Sequence, residues 1–204
     1  MSSQQLVLAS SNADKLKEMA ALLSGVDIEV VLQSRFAVPD VEETGLSFVE
    51  NALIKARHAA RYTGLPAVAD DSGIQVDVLG GAPGILSARY AGEGASDEQN
   101  LQLLIEKVTA IQEDRPSACF QCVMVYLRHA GDPMPVIAQG TWQGRIVTQA
   151  KGRHGFGYDP IFYLQTHGCT AAELAPAEKN RISHRGQAMR ALLQKITALN
   201  INLL

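Results

Sequence analysis

Apolar positions recur along this chain with two periods, and the alternation between them predicts strands and helices in turn. The run Leu6–Ala9 reads as a strand followed by a polar loop at Ser10-Ser11-Asn12. Leu16, Met19, Ala20 and Leu23 then recur at helical spacing until Gly25 stops the pattern. "IEVVLQ" (28–33) is a second strand. The clearest helix is "SFVENALIKARHAARYTG", with a capping box at Ser47 and Glu50, Gly64 at its C-terminal end and Pro66 just beyond. "PAVADD" (66–71) reads as a short buried strand that stops at two aspartates, and "GIQVDVLGG" contains a separate, alternating strand.

Further on, "SDEQNLQLLIEKV" is a helix with Ser96 and Gln99 as its capping box. Strands around 117–129 and 135–148 flank the turn-forming "HAGDPMP", and "KGRHGFGYDP" is a glycine-rich loop before "IFYL". Ser183 caps a last helix carrying Ala188, Leu192, Ile196 and Leu199. Alternating strands and helices followed by hairpin strands predict an α/β fold, a mixed sheet with helices on its faces. With no repeat, low-complexity segment or linker, residues 1–204 read as a single domain.

Composition narrows the function classes. An apolar fraction of 47% with 19% charged residues is that of a globular chain, large enough to bury a core without staples. The net charge of −3, without a run of Lys or Arg, disfavours a nucleic-acid polymer as partner. No apolar stretch is long enough to span a membrane, and "MSSQQLVLAS" does not read as a signal peptide. Three cysteines, an odd number, suggest reduced thiols and a cytoplasmic protein. The pair in "CFQC" (119–122) falls in an apolar, β-rich run, where side chains three apart point to opposite faces, so it reads as buried strand and not as a metal site.

Candidate chemistry gathers in the polar segments next to these elements. Two adjacent carboxylates, Asp70 and Asp71, repel each other unless a cation or a shared proton relieves them. The loop Ser10, Ser11, Asn12, Ala13, Asp14, Lys15 between strand and helix has the short donors, free N–H groups and cation of a phosphate cradle. It is not a Walker loop, and no GxGxxG follows a strand. Glu42 and Glu43 precede the second helix, a position the helix dipole also favours, and Lys55 lies within that helix among alanines. His184 and Arg185 put cationic groups at a helix start, where the dipole would rather have an anion, which points to an anionic or hydrogen-bonding ligand. Phe156 and Tyr158, beside Asp159, offer flat faces and a carboxylate of the kind that stack on and read a nucleobase, or two aromatics that close a core.

Taken together, "LASSNADK", "EETGLSFVENALIKA", "ADDSGIQVDVLGGAPGILSARYAG", "GFGYDPIF" and "EKNRISHRG" resemble the inosine triphosphate pyrophosphatase (RdgB/HAM1-like) family, from the first strand to the last helix. One departure is Ser10-Ser11, where family members often show Thr-Gly before the Asn. The resemblance implies an elongated mixed α/β fold with two lobes around a central cleft, usually a homodimer. It further implies Mg²⁺-dependent hydrolysis of the free purine nucleotides ITP, dITP and XTP to monophosphate and pyrophosphate, cleansing the nucleotide pool. On this resemblance Asp71 is metal ligand or general base, Asp70 its support, and Glu43, with Glu42, completes the metal site. Lys15, Asn12, Ser10 and Lys55 grip the triphosphate, with Ser72 donating nearby. Phe156, Gly157, Tyr158 and Asp159, with Lys179, His184 and Arg185, form the base pocket. His184 and Arg185 can donate to a 6-keto oxygen, where adenine presents a donor of its own. Two alternatives stand beside this: a Maf-like pyrophosphatase for other modified nucleotides, against which "SHRG" and "GFGYDP" count, and a nucleotide sensor without turnover.

Overall fold

Residues 4–10, 13–22 and 28–198 are described by the computed structural model. In chain order the elements are β1 (Gln4–Leu8), α1 (Ala13–Leu22), β2 (Ile28–Leu32), α2 (Phe48–Thr63), β3 (Ala67–Val76), α3 (Asp97–Ile111), β4 (Ser117–Leu127), β5 (Val136–Ile146), β6 (Phe162–Leu164), β7 (Cys169–Thr170), α4 (Pro176–Ile182) and α5 (His184–Ala198). The strands form one seven-stranded sheet in the order β2-β1-β3-β4-β5-β6-β7. β1 runs parallel to both β2 and β3, while β6 runs antiparallel to β5 and β7, so the sheet is mixed and the fold α/β, as the patterning predicts. No helix among the described residues is long and apolar enough to cross a membrane.

Contacts group the chain into two compact units, one of residues 1–71, 122–140 and 185–204, the other of 72–121 and 141–184. Each unit is discontinuous in sequence, and the breaks at 71/72, 121/122 and 140/141 fall inside strands, so no linker composition marks them.

In the first unit strand alternation sorts the core into two layers. Leu6, Leu8 and Val68 join Cys122, Met124 and Tyr126 under α1 and α5, through Met19, Met189, Leu192 and Ile196. Val7, Ala9, Ala67 and Ala69 join Val123 and Val125 on the opposite face, under Ala52, Ala56, Ala59 and Ala60 of α2. Alanine along α2 lets that helix lie close to the strands, and both faces of this part of the sheet are thereby removed from water. The second unit has a core of its own, built on Ile74, Val76, Leu101, Leu104, Phe120, Trp142, Tyr158 and Phe162.

Of the two predicted capping boxes, the one at α3 closes and the one at α2 is only half formed. Ser96 and Gln99 bond reciprocally at the start of α3. At α2, Ser47 accepts from the Glu50 N–H, but the Glu50 carboxylate turns to the Leu46 N–H (3.0 Å) and the Ser47 hydroxyl (2.6 Å). Gly64 closes α2 in the left-handed conformation, φ 69°.

The largest departure from the sequence reading lies at "DDSG". Instead of a polar turn between two strands, Asp70, Asp71, Ser72 and Gly73 continue one strand from Ala67 to Val76. A second departure is α4, a separate short helix inside "EKNRISHRG", whose backbone breaks at Ser183 (φ −67°, ψ 160°) before α5 begins.

Candidate functional site

β3 carries the two aspartates, and alternation turns them to opposite faces. Asp70, on the face of Val68, meets side chains from α1 and α5. Lys15 Nζ donates to its Oδ1 at 3.0 Å, and Arg185 Nε and Nη2 donate to its Oδ2 at 3.3 and 3.2 Å. Arg185 in turn donates from Nη1 to Glu18 Oε2 of α1 at 2.6 Å. Burial of Asp70 favours its neutral form, but Lys15, Arg185 and Lys55 outweigh that and hold its pKa well below the ordinary carboxylate range. The Arg185 guanidinium is correspondingly held charged, with burial opposed by Asp70 and Glu18.

Asp71, on the face of Ala69, meets α2 instead. Lys55 Nζ donates to Asp71 Oδ1 at 3.0 Å and lies 2.7 Å from Glu43 Oε1, so two carboxylates converge on one ammonium. Asn51, one turn before Lys55 and fully buried, donates from Nδ2 to Asp71 Oδ2 at 3.3 Å. Its Oδ1 accepts the Gly45 N–H at 2.8 Å, which ties the Glu43 loop to the same side chain. At Gly45 a Cβ would come within 2.5 Å of the Glu50 Cβ, so the loop's approach to α2 requires glycine. Here the balance differs from that at Asp70: burial and the Glu43 charge raise the Asp71 pKa against the lowering by Lys55. For Lys55, burial is outweighed by Asp71, Asp70 and Glu43, and its pKa rises.

In the second unit, the Asp159 carboxylate accepts from Lys179 Nζ at 2.6 Å and from the Phe156 N–H at 2.9 Å. The Lys179 ammonium lies 5.0 Å from the centre of the Phe156 ring. A Cβ at Gly155 would stand 2.0 Å from Asp159 Oδ2 and 3.1 Å from Lys179 Nζ, at φ 75°, so only glycine allows this pair to close. The Gly157 N–H is held by Asp97 Oδ2 at 2.9 Å. Tyr158 is buried in the core, and its hydroxyl donates to the Ser87 carbonyl at 2.8 Å. Ser87 Oγ accepts the Ile74 N–H and donates to the Gly84 carbonyl, so the loop stands on the second half of β3. His184 is 4% exposed and lies flat on Phe120, ring centres 4.6 Å apart and planes within 7°.

The structure therefore brings Lys15, Asp70 and Arg185 together, and separately Glu43, Lys55 and Asp71. Glu43, and not the exposed Glu42, reaches Lys55. Arg185, expected beside the base, has its guanidinium against Asp70 and Glu18. Ser10 and Ser72 are half-buried at the end of β1 and within β3. Ser11 and Asn12 lie outside the described residues, and so do the side chains of Ala13 and Asp14. Two contributors escaped the sequence reading. Asn51 had a signal, its i,i+4 spacing to Lys55, whereas Glu18 had none beyond its place in α1.

Glu43 and Asp71 also fit a hard divalent cation. Mg²⁺ takes oxygen ligands and is commonly held by one or two carboxylates together with substrate phosphates. Two carboxylates already sharing one positive group carry a net negative charge and offer oxygens of that kind.

Asp70→Asn is expected to cost about 3–5 kcal/mol of unfolding free energy, because the buried Arg185 and the half-buried Lys15 then face a neutral amide. A depressed folded-state pKa makes the Asp70 contribution fully present above the ordinary carboxylate range and lost as pH falls through the depressed value. Urea midpoints measured against pH should show a constant gap between wild type and variant near neutrality that narrows only in strong acid.

Comparison with known proteins gives the family. The Ham1 family model matches residues 6–195. A Salmonella typhi protein named dITP/XTP pyrophosphatase is 56% identical over 193 residues, covering 95% of this chain and 98% of that protein. Its namesake in Escherichia coli O157:H7 is 55% identical with the same coverage. Among solved structures, a HAM1 protein from Coxiella burnetii superposes with a TM-score of 0.88 at 51% identity, covering 96% of this chain and 99% of that one. A Mycobacterium abscessus structure titled nucleoside-triphosphatase / dITP/XTP pyrophosphatase gives 0.71 at 43% identity, covering 93% and 99%. A family model matching residues 6–195, with relatives more than half identical over nearly the whole chain, makes this chain a member of the Ham1 family.

Proposed function

We propose that this protein hydrolyses the α–β phosphoanhydride of purine nucleoside triphosphates bearing a 6-keto base (ITP, dITP and XTP), releasing monophosphate and pyrophosphate. The observation that carries the reading is the convergence of Glu43 and Asp71 on the Lys55 ammonium, in a chain whose relatives are named dITP/XTP pyrophosphatases. Such a site holds an ionised carboxylate beside positive charge, which is what a water attack on a polyanion needs.

Asp71 is the general base. It takes a proton from water as the water oxygen bonds to the α-phosphorus, and the α–β bridging bond breaks with its electron pair leaving on pyrophosphate. Burial and Glu43 raise its pKa, which brings its basicity closer to the task. Lys55 and Asn51 fix the carboxylate, leaving one oxygen on each partner. Lys15 supplies positive charge for the phosphates. Asp70, held ionised by Lys15 and Arg185, orients those cations and takes no proton. Glu43 and Asp71 would hold Mg²⁺, which when bound neutralises phosphate charge.

His184 and Lys179 supply donors on the base side. A 6-keto oxygen accepts there, whereas the adenine amino group would leave a buried donor facing a donor. Phe156 offers the flat face for the purine, and the Asp159–Lys179 pair sets its loop.

The purified protein with Mg²⁺ should release pyrophosphate from ITP and XTP and little from ATP. Orthophosphate as the product, or equal rates on all purines, would contradict the reading. Asp71→Asn should lower kcat by ~10²–10⁴-fold while nucleotide still binds. Because the base must be ionised, wild-type kcat/KM should fall in acid as Asp71 takes up its proton.

A further inference from the structure

Within β4, the apolar "CFQC" segment does more than fill a core. Phe120 is 7% exposed and parallel to the His184 imidazole, with planes within 7° and centres 4.6 Å apart. Trp142 flanks the pair, 6.4 Å from Phe120 and 6.2 Å from His184, with planes tilted by 25° and 21°. Phe162 meets Phe120 edge-on at 4.6 Å and 60° and lies 5.2 Å from Trp142, so the Phe120 plane is itself fixed from the side. Gly144 makes room for that contact, since a Cβ there would stand 2.5 Å from Phe162 Cζ. All four rings belong to the second unit.

The χ2 torsion of histidine is broad and roughly two-fold, so an imidazole with no neighbour at its face can swing its N–H through a wide arc. Hydrogen bonds weaken steeply as that angle departs from linear. A flat ring against the imidazole face removes this freedom before any ligand arrives, which is the preorganisation a specificity contact requires. We infer that Phe120 is a positioning residue for base selection: its ring sets the plane of His184 and thereby the direction in which the imidazole donates to a 6-keto base. This rests on the reading of His184 as a base contact given above.

Imidazole ¹H–¹³C NMR of the full-length protein tests the stack, and relative kcat/KM on ITP and ATP tests its consequence. Five histidines give five sets of signals, and loss of one set in His184→Gln assigns that residue. Its ring protons should lie upfield of the others in the wild type and in Phe120→Tyr, and should move toward them in Phe120→Leu. Phe120→Leu should reduce the preference for ITP over ATP by about tenfold to a hundredfold, mainly through a higher KM for ITP, while Phe120→Tyr stays close to the wild-type ratio. An unshifted His184 signal in the wild type overturns the proposal, even if Phe120→Leu fails to fold. Unchanged preference in Phe120→Leu beside a lost preference in His184→Gln also overturns it, and leaves the base-contact reading of His184 standing. A preference intact in His184→Gln overturns that reading and the Phe120 proposal with it.

Discussion

Two consecutive carboxylates can be buried in this protein because a strand turns them to opposite faces, where each meets its own cations. Asp70 takes Lys15 and Arg185 from α1 and α5, and Asp71 takes Lys55 and Asn51 from α2. The same alternation that separates Leu8 from Val7 in the core separates the two charges. Three helices are thereby tied to one strand by charge-assisted bonds as well as by apolar packing. The ties also divide the labour. Asp70 is held in its ionised form, whereas Asp71 shares a single ammonium with Glu43 and has its pKa raised by burial.

Much of this was legible in the sequence. The Ser47 and Ser96 caps and the Gly64 stop are local signals, and each falls where spacing puts it. Of the first helix's apolar positions, by contrast, Met19 is buried and Ala20 exposed, and Leu23, Gly25 and Leu199 lie outside the described residues. That neighbouring aspartates face opposite ways followed from strand geometry alone. The continuation of β3 through "DDSG" did not, because what allows it lies elsewhere in the chain. Two charges end a strand unless cations meet them, and these cations come from positions 15, 55 and 185. The role of Arg185 was obscured for the same reason: a helix-start arginine suggests an anionic ligand, and the anion it meets is the protein's own Asp70. Glu18 escaped notice because nothing local distinguishes it from a solvated helix charge.

The second unit relies on close approach more than on charge. Gly155 admits the Asp159–Lys179 pair, and Gly144 admits Phe162 beneath the aromatic stack. Tyr158, placed in the base pocket by the family resemblance and left by the residues alone as either a base-stacking or a core-closing ring, sits in the core and anchors its loop through Ser87. In the first unit, Cys122 of the same β4 strand is fully buried, and its thiol is pushed up to about 12 by burial and then by Asp70. An inert thiol of this kind behaves as a small apolar side chain.

The central claim, that adjacent carboxylates carry opposite pKa displacements, can be tested most directly by following the ¹³C carboxyl shifts of Asp70 and Asp71 against pH in the intact, metal-free protein. Asp71 should titrate above the ordinary aspartate value, and Asp70 should show no titration until well below it. Two ordinary titrations, or a displaced Asp70 beside an ordinary Asp71, would contradict the account.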